Sequence, residues 1–213
     1  MLNRNDTVLS EPQAERRPSV STWHGVTLTD EFAWLRAANW QEVMRDPGEL
    51  DPAIRAYLEA ENAYADQSLA DTVELQDTLF GEMKGRIKQD DSTVPAADGA
   101  FAYSVGYREG GQHPIFRREP RSGGPEATLL DGDELARGKS FFQLGATRHS
   151  PDHHYLAWSA DEAGSEFHTI RVRDIATGRD LADTVADAAG AVVWTASSLA
   201  FYYVRLDGNH RPS

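Results

Sequence analysis

The feature that most constrains this chain is an internal repeat, seen most clearly between His149 and Leu181. Tyr155-Leu156-Ala157-Trp158-Ser159 is a β-rich run after the turn Ser150-Pro151-Asp152, where proline fixes φ and the aspartate can hydrogen-bond its own backbone. Asp161-Glu162-Ala163-Gly164-Ser165 breaks the run. Phe167-His168-Thr169-Ile170-Arg171-Val172-Arg173 then alternates apolar with polar residues, the period-two signature of a strand with one buried face. Ala176-Thr177-Gly178-Arg179 predicts a tight turn with glycine at positive φ, followed by a strand over 180–185. The unit reads as a three-stranded meander.

The unit recurs on both sides. Moved back by about 55 residues, Leu156-Ala157-Trp158-Ser159 falls on Phe101-Ala102-Tyr103-Ser104, Ile170-Arg171-Val172-Arg173 on Ile115-Phe116-Arg117-Arg118, and Gly178 on Gly123. Moved forward by about 45, Gly145-Ala146 falls on Gly190-Ala191 and Leu156-Ala157-Trp158 on Phe201-Tyr202-Tyr203, with Val193-Trp194 opening a third copy that stops at Ser213. Short antiparallel strands at this period are the mark of a β-propeller, one copy per blade. A β-sandwich with coincidental spacing is the competing architecture.

Upstream the pattern is different. Residues 1–21 are polar and read as a flexible lead-in. Between Trp23 and Leu35 six sizeable apolar side chains (Trp23, Val26, Leu28, Phe32, Trp34, Leu35) fall close together, too many to leave in water at about 1.5 to 3 kcal/mol each. Asp51-Pro52 is a helix start, aspartate as N-cap and proline at the first helical position. Ile54, Tyr57, Leu58, Glu61, Ala65 and Leu69 carry that helix onward, and Asp71 is placed to cap a second one bearing Val73, Leu75, Leu79, Phe80, Met83 and Ile87. The expectation is an antiparallel helical hairpin with one apolar face over 22–92, and β structure with Gly and Pro turns over 93–213. Pro120-Arg121-Ser122-Gly123-Gly124-Pro125 reads as a hairpin turn within the first blade.

Composition narrows the partners. A hydrophobic share of 40% and a charged share of 26% suit a globular chain. The net charge of −13 argues against nucleic acid and anionic membranes, and permits a cationic ligand. With no cysteine, disulfides and thiolate metal sites are excluded. No apolar run of signal-peptide or membrane-spanning length occurs, so the expected location is cytoplasmic and Asn5-Asp6-Thr7 is a chance match to a glycosylation site.

Chemistry is sparse. Neither the Gly-x-Ser-x-Gly elbow of an α/β-hydrolase nor the His-Glu-x-x-His of a zinc peptidase is present. His149, His153, His154 and His168 are the one group resembling ligands, but Pro151 prevents the helix that would align the first two, so a solvated turn is expected. The acids at Asp90-Asp91, Asp131-Gly132-Asp133-Glu134 and Asp161-Glu162 lack the spacing of a calcium loop and read as solvated turns. Gly106 to Gly111 and Gly123-Gly124 lack the lysine of a phosphate loop and read as hairpin turns, while Trp158, Trp194 and Tyr203 read as sheet-packing core. No catalytic, cofactor-binding or metal-ligating residue is assigned, and no cofactor is expected.

Several runs carry a family resemblance: His24-Gly25-Val26 with Asp30-Glu31-Phe32-Ala33-Trp34-Leu35-Arg36, Tyr57-Leu58-Glu59-Ala60-Glu61-Asn62-Ala63-Tyr64, Glu82-Met83-Lys84-Gly85-Arg86-Ile87-Lys88, Asp90-Asp91-Ser92-Thr93-Val94-Pro95 and Ser150-Pro151-Asp152. As a set spanning 23–213 they resemble the N-terminal part of oligopeptidase B, the trypsin-like branch of the prolyl oligopeptidase family of serine peptidases. The resemblance implies a seven-bladed propeller capping an α/β-hydrolase domain, with the helical segment packed on the hydrolase, and cofactor-free cleavage of short peptides after Lys or Arg. The Ser, Asp and His of the triad would then lie beyond Ser213, so no family catalytic residue maps onto this chain. The fold expected is mainly β, an incomplete propeller of about two and a half of seven blades preceded by the helical hairpin. The expected function is the access-limiting propeller portion of a serine endopeptidase, inactive alone, with its own hydrolase domain as partner and short basic peptides as substrate. The alternative is a stand-alone propeller-type module binding a basic partner.

Overall fold

The computed structural model describes residues 10–213, so residues 1–9 of the expected lead-in lie outside the described part. The chain forms two compact units that part between Ile87 and Lys88.

The first unit opens on a hairpin of strands β1 (Ser19–Trp23) and β2 (Val26–Asp30). Ser19 to Ser21, expected in the lead-in, are therefore ordered strand. Trp23 pairs with Val26 across a two-residue turn, and His24 (φ 51°) and Gly25 (φ 82°) both take the positive φ that matches the twist of the flanking strands. The short helix α1 (Trp40–Arg45) follows, and then α2 (Pro52–Ser68). Asp51 caps α2 as expected, accepting from the N–H of Ala53 at 2.7 Å and of Ile54 at 3.4 Å. Trp34 sets its ring edge against Tyr57 of α2 at 6.3 Å and donates from Nε1 to Glu15 O at 2.8 Å.

Helix α3 (Val73–Gly85) is also present, but two details of the expected hairpin differ. Asp71 lies in a 3-10 turn, Ala70–Thr72, and the residue before α3 is Thr72, which makes no capping bond. The helices make no extended contact along their lengths. Leu69 (φ −98°, ψ 0°) and Thr72 (φ −96°, ψ −5°) stay close to helical dihedrals, so no left-handed residue turns the chain back on itself. Leu75, Leu79, Phe80, Met83 and Ile87 are consequently exposed.

The second unit is β-built. Strands β3 (Ala96–Asp98), β4 (Phe101–Gly106), β5 (Ile115–Pro120) and β6 (Ala127–Asp131) form a four-stranded antiparallel sheet in chain order. Asp91 to Thr93 belong here, since Tyr107 donates to Asp91 O at 2.8 Å and Thr93 to Val105 O at 2.8 Å. Helix α4 (Gly132–Ala136) follows, and then a sheet ordered β11-β10-β9-β8-β7 from β7 (Gln143–His149), β8 (Tyr155–Asp161), β9 (His168–Asp174), β10 (Arg179–Trp194) and β11 (Phe201–Arg205). The repeat is structural: β4 and β8 are both second strands, β5 and β9 both third, and Gly123 (φ 90°) and Gly178 (φ 67°) close equivalent hairpins.

Two features go beyond the three-stranded reading. Each full blade has a fourth, inner strand, β3 or β7, too short or too weakly alternating to stand out in sequence. β10 is one 16-residue strand, where a break before Val193 was expected. Its first part is the outer strand of the second blade, pairing with β9 (Val185 with Ile170), and its last part pairs with β11 (Trp194 with Phe201). Register shifts on both sides of Ala188, with positive φ at Asp187 (56°) and Gly190 (89°), bend the strand from one role to the other.

The blades stack face to face. Leu129, Leu130, Phe142, Leu156, Trp158 and Ala160 fill the layer between the first and second, joined by Tyr103 and Phe116. Ala157, Ile170, Ala188 and Val192, with Trp194 and Phe201, fill the layer between the second and the β10–β11 hairpin. Burying each large side chain in these layers stabilises the stack by about 1.5 to 3 kcal/mol. The repeat-matched Gly145 and Gly190 both face the His168 ring, whose Cδ2 a Cβ would approach to 2.8 Å and 3.1 Å, so a packing reason exists for glycine at each. The molecule is mainly β, an incomplete propeller.

Candidate functional site

The densest group of chemically capable side chains lies between the first two blades. Strand β3 ends at Asp98, and Gly99 (φ 55°) turns the chain back so that Phe101 and Tyr103 follow on β4. On the second blade, β7 ends at His149, and the turn after it holds His153 at φ 63°. That turn is braced by Ser150 Oγ, which donates to Asp152 Oδ1 at 2.5 Å and accepts from Tyr155 N–H at 3.0 Å.

These residues meet across the interface. His149 Nε2 lies 2.8 Å from Asp98 Oδ2, and the Tyr103 hydroxyl lies 2.8 Å from His153 Nδ1. Tyr103 stacks on His149 at 3.8 Å with the rings 3° from parallel, and His153 lies 5.4 Å from His149. Arg118 sits 4.1 Å over the Phe101 ring and donates from Nη1 to the His153 carbonyl at 2.7 Å. The bond to His149 holds the Asp98 carboxyl below its ordinary range although burial pushes the other way. Burial pushes the Tyr103 phenol up, outweighing Arg118.

The expected solvated turn therefore describes only part of the histidine group. His154 is exposed, 3.4 Å from Asp152 Oδ2, but the His149 and His153 rings are half-buried and stacked. A helix is indeed excluded by Pro151; a strand end and a left-handed residue bring the two imidazoles together instead. Asp98 was not singled out, because nothing local announces a residue that meets its partner 51 positions away. His168 lies apart, against Gly145 and Gly190. Asp152 accepts from Ser150 Oγ on Oδ1 and faces His154 Nδ1 with Oδ2.

The acidic turns are also more structural than expected. Asp161 is 1% exposed and accepts from Ala163 N–H at 2.9 Å and Gly164 N–H at 3.0 Å on one oxygen, and from Glu166 N–H at 2.7 Å on the other. Burial pushes its carboxyl up, but the backbone donors outweigh it and hold the group below its ordinary range. Asp131 caps α4, Asp133 Oδ1 accepts from Gln112 and His113 N–H at 3.0 and 2.9 Å, and Arg108 pairs with both carboxylates. Gly110-Gly111 and Gly123-Gly124 lie in the β4–β5 and β5–β6 hairpin connections, as read, whereas Gly106 is the last residue of β4 and pairs with Ile115. Trp158 is core, its Nε1 donating to Asp180 at 3.1 Å, and Trp194 packs edge-on to Phe201, but Tyr203 is exposed on β11 and does not join the core expected of it.

Comparison with known proteins gives this geometry a context. The family described as Prolyl oligopeptidase, N-terminal beta-propeller domain, matches residues 12–213. The chain is 34% identical over 200 residues to the uncharacterized peptidase y4qF of Sinorhizobium fredii (strain NBRC 101917 / NGR234), a match covering 94% of this chain and 25% of that protein. It is 32% identical over 215 residues to dipeptidyl aminopeptidase BI of Pseudoxanthomonas mexicana, covering 92% and 28%. Oligopeptidase B from Trypanosoma brucei, solved with covalently bound antipain in a closed form, superposes with a TM-score of 0.81 at 26% identity, over 95% of this chain and 30% of that one. Oligopeptidase B from Leishmania major gives 0.82 at 24% identity, over 95% and 30%. The chain thus spans between a quarter and a third of the length of these relatives.

Proposed function

Because the chain belongs to the prolyl oligopeptidase N-terminal β-propeller family, we propose that it forms the access-limiting part of an oligopeptidase B-like serine endopeptidase that cleaves short peptides after Lys or Arg. The carrying observation is the stack of β-blades whose family match runs over residues 12–213. Three further features support the reading. The net charge of −13 would draw cationic peptides toward the protein. A propeller over a catalytic centre excludes folded proteins by size and admits short chains. The exposed apolar residues of α3 suit a surface covered by an α/β-hydrolase domain, the partner in the complete protein.

On this proposal the nucleophile, base and oxyanion donors belong to the hydrolase domain, and the chain by itself is inactive, because catalysis needs those groups within hydrogen-bond reach of one another. The test compares the complete protein with the isolated chain on matched ester substrates carrying Arg, Lys or a neutral residue before the scissile bond. The complete protein should turn over the Arg and Lys substrates preferentially, with kcat/KM falling as salt screens the acidic surface. Turnover by the isolated chain that a serine-directed reagent abolishes, or a preference of the complete protein for neutral residues, would overturn the proposal.

A further inference from the structure

We propose that Asp98, His149 and His153 bind a divalent transition-metal ion of the zinc class, clamping the first blade to the second. One ligand atom from each residue can be chosen so that all lie within 4.8 Å of one another. Two imidazoles and a carboxylate suit zinc and its neighbours; calcium and magnesium demand oxygen. Tetrahedral coordination at about 2.0 to 2.2 Å separates ligands by about 3.2 to 3.6 Å, so the 2.8 Å contact between His149 and Asp98 opens by a few tenths of an ångström as the ion enters.

The surroundings supply what a ligand shell needs. When the Tyr103 oxygen accepts a hydrogen bond from His153 Nδ1–H, at 2.8 Å, the lone pair of that ring lies on Nε2. Stacking on Tyr103 fixes the plane of His149. His153 Nε2 packs against Gly99, where a Cβ would come within 2.4 Å of it, so any larger residue at this position would push the ring away from the cluster. The Asp98 side chain is 60% exposed, which leaves a path for the ion and a fourth position for water. Asp98 supplies the charge that offsets the cation. Arg118, bonded to the His153 carbonyl at 2.7 Å, opposes it and restrains the affinity. A bound ion joins residues about fifty positions apart in sequence, so the link would act on the interface between blades.

Cobalt(II) tests this directly. The untagged chain, stripped with chelator, is titrated with Co2+ and followed by its visible ligand-field absorption, then competed with Zn2+. One equivalent should bind, Zn2+ should displace it, and the thermal unfolding midpoint should rise with the ion. Asp98→Asn and His153→Gln should each weaken binding by about tenfold or more, while His154→Gln leaves it unchanged. Asp98 lies at the surface, so Asp98→Asn keeps the proposal testable should His153→Gln fail to fold; circular dichroism of the metal-free variants reports which have folded. Binding well below one equivalent, or equal affinity in folded Asp98→Asn and the parent chain, overturns the proposal. So does binding lost with His154 rather than with the cluster. Neither peptidase activity nor a second domain enters the readout, so the result is independent of the function proposed above.

Discussion

Replacing Asp161 with alanine should be among the most damaging single changes in the second blade. The carboxylate is 1% exposed and holds the β8–β9 connection closed by accepting from the N–H groups of Ala163, Gly164 and Glu166. A hydrogen bond to a charged group contributes about 1.5 to 3 kcal/mol, and a buried donor left without an acceptor costs about 1 to 3 kcal/mol. The three bonds share one carboxylate and their losses do not add, since the loop can shift and admit water. The net expectation is about 3 kcal/mol, with Glu166, a non-glycine residue at φ 62°, losing the contact that holds it there. Asp161→Asn should cost less, about 2 kcal/mol, because one oxygen still serves Ala163 and Gly164 while the new amide faces the Glu166 donor. Urea unfolding of the whole chain, followed by circular dichroism, measures both. The pH dependence supplies a second check. The folded-state pKa of Asp161 is depressed, so its contribution is fully present above the unfolded value of about 4 and is lost as pH falls through the lower folded value. The gap between parent and Asp161→Ala should therefore be constant near neutral pH and narrow in acid. A destabilisation under about 0.5 kcal/mol at pH 7 would refute the assignment of Asp161 as the organiser of this turn.

Other expectations follow from burial. Ile170→Ala, in the layer between the second blade and the β10–β11 hairpin, should cost about 3 kcal/mol, and an unfolding midpoint unmoved by it would show that the layer is not packed as described. Trp34→Ala should cost about 2 kcal/mol through loss of the Tyr57 edge contact and the bond to Glu15, less than for a fully buried tryptophan; unchanged melting would contradict that docking. The isolated chain, with Val193, Leu199, Tyr202 and the apolar residues of α3 exposed, should bind hydrophobic dyes and associate as concentration rises. A dye-silent, monodisperse monomer in sedimentation at high concentration would count against this.

Sequence periodicity alone specified three of the four strands of each full blade. Alternation over 167–173, the Gly178 turn and their counterparts near 115 and 123 depend on contacts a few residues apart, and such contacts leave a period in the chain. The Asp51-Pro52 cap was equally local and appeared as read. The His24-Gly25 turn of the first hairpin carried a usable signal too, two turn-prone residues between the alternating runs Val20-Ser21-Thr22 and Val26-Thr27-Leu28. What sequence could not convey was anything set by stacking one sheet on another. Asp98 meets His149, and Tyr103 meets His153, because the blades place the ends of β3 and β7 side by side. Nor does the sequence show that Asp161 ends up buried, its carboxylate taking its donors from the backbone of its own turn. A strand's period records which face is buried. It does not record what the neighbouring blade presents to that face, and only the tertiary structure decides which side chains from distant turns become partners.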